Sequence, residues 1–342
     1  MTIKFIYSMG IGLLSLFCCT SYLQANSPAP PLEPLSPLQP MGDLRPHHRP
    51  GLPLKTLASD LGPLANLVGT WVGNGFTLIS LPDFSSVPPS TGPAPFRLKL
   101  NRTIEILELN TIGADIPNRG VISALGSTTG QPDIKLFGLT YLQRISDFLS
   151  REPLHIEPGI WIKIPPTTVF PANPNLTVVR MGTVPHGDSF LAQSSELFAI
   201  DSAPDMDVLS STPISVNGTP FPPGFLDPFL NPPLPPGIKP TYVENPNLLL
   251  QDDIAGQTII NTIVMRISSN NPNAMPPVGG ILNIPFVSLN ANATQIDAVF
   301  MIETVQSSDG TTFLQLQYYQ TVMLNFLGIM WPHISVATLI KQ

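Results

Sequence analysis

An all-β domain, an antiparallel up-and-down barrel of about ten strands, is the fold this sequence predicts, and three observations predict it. Short runs rich in Val, Ile, Thr, Phe and Tyr recur from Leu61 to the C-terminus and are closed by Gly, Pro and Asn turns. No segment keeps a helical period beyond about two turns. No internal repeat divides the region, so ten or more strands fall in one domain, as a barrel or sandwich requires. A barrel of this size can hold a small ligand inside.

The elements follow in order. Leu61 to Val68 reads as a short helix leading into an opening strand at Gly69-Thr70-Trp71-Val72-Gly73-Asn74-Gly75-Phe76. Strands are then predicted at Phe96 to Leu109, Gly120 to Ala124, Ile134 to Ile145, His155 to Ile164, Leu176 to Met181 and Asp188 to Ile200. Pro204 to Asn247 breaks the pattern, because runs such as Phe221-Pro-Pro-Gly-Phe225 lack the amide donors a central strand needs. It lies in a long Pro-rich insertion near 203–289, where Phe221, Phe225 and Phe229 either cover a cavity or pin the loop to the barrel wall. Further strands are predicted at Gln257 to Ser268, Gly280 to Leu289, Gln295 to Val305, Phe313 to Phe326 and His333 to Ile340. Asp309-Gly310 is a hairpin turn, and Leu327-Gly328 is another turn.

Composition narrows the function classes. Only 11% of the residues are charged while 43% are hydrophobic, so a packed core is affordable despite 41 prolines. A net charge of −7, with no Lys/Arg cluster, argues against nucleic acid as a partner. Residues 1–25 read as an export signal: Lys4, an apolar run from Phe5 to Cys19, and Ala25 at a cleavage point. Lipid attachment at Cys19 is the alternative. Residues 26–60 read as a Pro-rich tether, which would hold a domain away from a membrane or cell wall. The chain is thus expected to be periplasmic, at the cell surface or secreted. Both cysteines, Cys18 and Cys19, lie in the signal, so the mature chain has no disulfide or thiolate chemistry.

Enzyme signatures are missing: no Gly-x-Ser-x-Gly elbow, phosphate loop or His-Glu-x-x-His occurs. Asp252-Asp253 reads as a solvated turn. His47 and His48 lie in the tether, where solvation is the plain reading and metal binding the alternative. The folded part holds His155, His186 and His333. Strand alternation puts His333 on one face with the small side chains of Ser335 and Ala337, leaving room for a bulky ligand, while Ile334, Val336 and Thr338 take the other face. His155-x-Glu157 places imidazole and carboxylate on one face, where the carboxylate can orient the ring. Two such histidines with a third, and Glu157 as the fourth donor, are the zinc alternative. His186, in Pro185-His186-Gly187, reads as a turn residue.

Four motifs in this order resemble a known family. Leu67-Val-Gly69-Thr70-Trp71-Val-Gly73-Asn-Gly75, Pro153-Leu-His155-Ile-Glu157-Pro-Gly159-Ile-Trp161, Pro185-His-Gly187 and Pro332-His333-Ile-Ser-Val-Ala337-Thr-Leu339 are similar to stretches of the nitrobindin-type, fatty-acid-binding-protein-like haem barrels. The resemblance covers Leu61 to about Ala199 and Ala298 to Lys341. It implies a barrel of about ten strands with ferric haem at an open end, held by His333 as the iron ligand, with His155 on the distal side and Thr70 and Trp71 on the strand near the cavity. The family's activities are nitric oxide or peroxynitrite chemistry, so any turnover here is expected to be haem-dependent peroxynitrite or peroxide chemistry. The signal, tether and insertion depart from the family pattern, and the insertion would shut the cavity or exchange haem for another apolar ligand. A lipocalin-like carrier of a fatty acid or other small hydrophobic ligand is the alternative function, and a surface adhesion module with a self-filled barrel is the third.

Overall fold

The computed structural model describes residues 59–83, 96–120, 130–167, 175–270 and 279–342. The export signal, His47, His48 and nearly all of the tether lie outside the described residues, as does most of the strand expected at Gly120 to Ala124. In chain order the strands are β1 (Gly69–Pro82), β2 (Phe96–Thr111), β3 (Ile116–Asn118), β4 (Ile134–Asp147), β5 (Pro153–Ile164), β6 (Thr177–Val184) and β7 (Asp188–Ile200). They continue with β8 (Ile214–Ser215), β9 (Thr258–Ser268), β10 (Gly280–Asn283), β11 (Asn292–Gln306), β12 (Thr312–Phe326) and β13 (Ile329–Lys341).

Ten of them form the wall in the order β1-β2-β4-β5-β6-β7-β9-β11-β12-β13, every pair antiparallel. Pairing of β13 back onto β1, from Trp71 opposite Lys341 to Leu78 opposite Ile334, closes the barrel and removes both sheet edges. The fold is therefore the predicted all-β closed barrel, with β3, β8 and β10 as short additions beside β4, β13 and β7. The predicted turns hold. Asp309 accepts from the Thr311 amide at 3.0 Å, and Leu327 (φ 57°) with Gly328 (φ 69°) makes the two-residue reversal that joins β12 to β13.

One end of the barrel is plugged. The predicted short helix is a 3-10 segment, Gly62–Leu67, with Pro63 in its first turn, continuing one α-helical turn at 59–61. Leu61, Leu64 and Leu67 are buried against Trp71, whose indole nitrogen donates to the Leu67 carbonyl at 2.8 Å. Lys163 and Lys341 clamp the same segment by donating to the carbonyls of Asp60 (2.7 Å) and Asn66 (3.1 Å).

The insertion covers the outer wall. Its three short helices, α1 (Asp227–Leu230), α2 (Pro240–Glu244) and α3 (Asn247–Asp253), start at or near prolines, whose missing amide costs nothing in a first turn. Phe229, Ile238, Tyr242, Val243 and Leu250 bury themselves against outward residues of the wall such as Phe76, Val264, Val299, Met301 and Val336. Both faces of β12 are thus covered, with Tyr318 inside and Tyr319 outside, which is why Phe313 to Phe326 reads as apolar throughout. Of the two readings of the insertion's aromatics, pinning is the one observed: Phe225 and Phe229 pack on Phe96 at 5.6 and 5.9 Å, and Phe225 stacks on Trp331. Polar bonds add register, with Gln317 donating to the Leu250 carbonyl (2.9 Å) and Thr338 to Asp253 (2.7 Å). Asp252 and Asp253 are exposed as expected, but they end α3 rather than form a turn, and Asp252 accepts from Lys239 at 2.5 Å. The strand expected over Gly280 to Leu289 is shorter: it stops at Asn283, and Pro285 opens a fourth helix, α4 (Pro285–Asn290), instead of extending the ladder.

Two carboxylates are buried in this architecture. Glu303, on the outer wall, accepts from Gln315 at 2.6 Å, and burial pushes its pKa up to about 7. Glu105, in the lumen, is also raised to about 7, burial outweighing the bonds from Tyr318 and Gln143. Between the ordinary 4.5 and about 7 the native chain keeps protons that the unfolded chain has lost, so these groups lower stability as pH rises through that window. Urea unfolding from pH 5 to 8 is expected to show parent stability falling relative to Glu303→Gln by on the order of 3 kcal/mol, since a tenfold difference in proton affinity between the two states is worth about 1.4 kcal/mol. Parallel pH profiles for parent and variant would refute the buried-acid assignment.

Candidate functional site

Alternation along each strand defines what faces the lumen. On β13 these are His333, Ser335, Ala337 and Leu339, and the register sets the last three against Thr77, Gly75 and Gly73 of β1. The middle of the lumen is crossed by a buried polar network centred on Arg180 of β6. Its guanidinium donates to Glu157 of β5 at 2.6 Å, Gln320 of β12 at 2.7 Å, Gln143 of β4 at 3.3 Å and Tyr141 of β4 at 3.2 Å. Tyr141 in turn donates to Glu157. Gln143 donates to Glu105 of β2 at 2.7 Å, and Tyr318 donates to the same carboxylate at 2.6 Å. The network separates the plugged end from the end that carries the histidines.

The Arg180–Glu157 pair is all but sealed, with 2% and 1% of the side chains exposed. Burial opposes charge on Glu157, but the Arg180 charge and bonds from His155 and Tyr141 outweigh it and hold the carboxyl down at about 2. Burial likewise works against the Arg180 charge, and Glu157 more than compensates, so its pKa is raised. Tyr141 and Tyr318 are pushed up by burial and remain phenols that donate.

Above this floor lie the three histidines. His155 Nε2 is 3.3 Å from Glu157 Oε2, the orienting contact the His-x-Glu spacing predicts. His186 is exposed in the turn between β6 and β7, with its ring centroid 5.8 Å from that of His155. His333 Nε2 is 3.4 Å from Thr77 Oγ1, which donates to the Ile334 carbonyl at 3.0 Å and is 3.1 Å from Ser335 Oγ. Burial, then the nearby His155 and His186, depress the His333 pKa to about 3, so its imidazole is neutral at ordinary pH. The wall beside it is built from small side chains. Gly75 has no room for a Cβ, which would lie 2.2 Å from the Val336 oxygen and 2.9 Å from Ala337 Cβ.

The structure thus gathers His333 and His155 at one end, with His186 beside them. It does not bring Thr70 or Trp71 there. Trp71 is at the plugged end, opposite Lys341, and the eight residues from His333 to Lys341 span roughly 26 Å of strand. Thr70 has the opposite parity to Trp71 and points outward. Nor do the histidines form the four-donor zinc set: Glu157 is committed to Arg180, and among the described residues no three His, Cys, Asp or Glu side chains are gathered as metal ligands. Sequence reading passed over Arg180, Glu105, Tyr141, Gln143, Tyr318, Gln320 and Thr77. The available signal was a lone arginine inside the β-type run Val178-Val179-Arg180-Met181. A separate cleft of about 510 Å³ lies on the outer wall between Leu209–Ile214 and Arg266, Tyr319 and Pro332.

No protein-family model matches the sequence, and no curated protein matches it. Among solved structures, the chain is similar to the crystal structure of Rv2717c from M. tuberculosis, at 14% identity and a TM-score of 0.38 over 83% of this chain and 97% of that one. The barrel assignment rests on the strand order and register given above.

Arg180→Met leaves Glu157 charged and buried without its partner, and thermal or urea unfolding is expected to show a loss of about 3–5 kcal/mol. Arg180→Met/Glu157→Gln removes both charges and is expected to recover part of that loss. A double variant no more stable than the single would show that the pair is not what the charges are there to satisfy.

Proposed function

We propose that the chain is an exported haem-binding barrel in which His333 supplies the axial imidazole. The observation that carries this reading is a neutral histidine flanked along β13 and β1 by the small side chains of Ser335, Ala337, Gly75 and Thr77. A metal-ligating imidazole must be unprotonated, and a flat porphyrin needs neighbours without bulk. With the Thr77 proton on the Ile334 carbonyl, Thr77 accepts from His333 Nε2–H and leaves Nδ1 as the lone-pair nitrogen. These residues fit the group. A bound haem would supply iron chemistry toward small ligands; His155, whose Nε2–H is held by Glu157, would offer Nδ1 as a hydrogen-bond acceptor to such a ligand. The four-motif resemblance supports the same ligand, and the apolar run and Pro-rich tether at the N-terminus support export to the periplasm, cell surface or medium.

The second reading is an iron-free carrier of an apolar molecule. It is favoured by the apolar inward positions Val322, Ala192 and Phe190. Arg180 narrows it: the one cation of the floor network is already paired with Glu157, so a neutral ligand suits this lumen better than a fatty-acid carboxylate.

Hemin titration of the mature chain in a His47→Ala/His48→Ala background tests the proposal. The expected result is a shifted Soret band that weakens by roughly tenfold or more in affinity with His333→Ala and persists with His155→Ala. No shift, or a shift indifferent to His333→Ala, overturns it. Native mass spectrometry finding a bound lipid and no haem would instead establish the carrier.

A further inference from the structure

We propose that His155 and His186 form a site for one divalent first-row transition-metal ion at the rim of the barrel, a site distinct from His333. The two rings lie 5.8 Å apart between centroids, tilted by 47° between their planes. A metal bridging two imidazole nitrogens at about 2.0–2.1 Å, with a tetrahedral to trigonal angle between them, sets the centroids roughly 5.2–5.5 Å apart. The rings stand only a few tenths of an ångström wider than that. The adjustment falls on His186, which sits in the exposed Pro185-His186-Gly187 turn.

His155 has the arrangement that prepares an imidazole for a metal. Glu157 can only accept, so His155 Nε2–H donates to it and Nδ1 carries the free lone pair. A ligating histidine whose other nitrogen donates to a carboxylate is the usual outer-shell pattern, and Arg180 fixes that carboxylate in turn. Two imidazoles favour zinc, nickel or copper over calcium or magnesium, and a two-donor site leaves coordination positions open to water or a small ligand. Neither His155 nor His186 is the iron ligand of the haem reading, so the inference extends beyond it.

Calorimetric titration of the full chain with ZnCl₂ alone, in the His47→Ala/His48→Ala background, tests the site. One zinc per chain is expected, with affinity falling roughly tenfold or more in His186→Ala and again in His155→Ala, and unchanged in His333→Ala. Circular dichroism checks that each variant is folded, and His186→Ala, on an exposed turn, is the decisive one. No binding, or binding that His186→Ala leaves unaltered, overturns the site, as does loss of binding in a folded His333→Ala. Because His186→Ala is expected to keep the hemin band that His333→Ala loses, the two readings fail separately.

Discussion

The buried guanidinium of Arg180 is the group on which the lumen depends. A charge with 2% of its side chain exposed is tolerable only if its donors are used, and here they are used on Glu157, Gln320, Gln143 and Tyr141. Those partners come from β4, β5 and β12, so satisfying one side chain fixes the stagger of strands on opposite sides of the barrel. The same bonds create the floor that divides the plugged end from the end that carries the histidines. They also hold Glu157 in the orientation that positions His155. Stability and site geometry therefore share a cause, and a change that relaxes the ion pair moves the histidine as well as the melting point.

The last strand is held from both faces. Its inner side carries His333, while Ile334 and Val336 on its outer side join the cluster that the insertion covers. Phe225 stacks on Trp331, two residues before His333, and Thr338 reaches Asp253. The insertion thereby braces the strand that carries His333. Its prolines suit that role, since they open short helical turns and cannot compete with the barrel for ladder hydrogen bonds.

The barrel was legible in the sequence because its signals are local. Alternation, Asp309-Gly310 and Leu327-Gly328 each act within a few residues, and the strand limits they imply are mostly those observed. The interior network was not legible, because its partners are distant in sequence: Tyr318 and Glu105 are separated by 213 positions. A polar residue at an inward position reads as an interruption until closure shows what lies across the lumen. The stretch Gly280 to Leu289 failed for another reason. Its Ile, Phe, Val and Leu favour a strand, but Pro285 denies the ladder a donor and suits a helix start, and the backbone constraint prevails. Thr70 and Trp71 belong to the opening strand as read, yet a strand of fourteen residues runs the depth of the barrel, so membership of β1 alone could not say which end they occupy.

Electrostatics give the histidine end its character. Three imidazoles close enough to repel one another cannot all be protonated cheaply, and the one most removed from water yields first. Burial lowers the His333 pKa, the charges of His155 and His186 lower it further, and His186 is depressed by burial and by the charge of His155. The result is an end of the barrel lined by lone pairs, over a floor in which one positive and one negative charge cancel. Such a surface suits electron-pair acceptors such as metal centres and repels neither face of an apolar ring, whereas an anionic ligand would have to displace Glu157 from Arg180 to find its counter-charge.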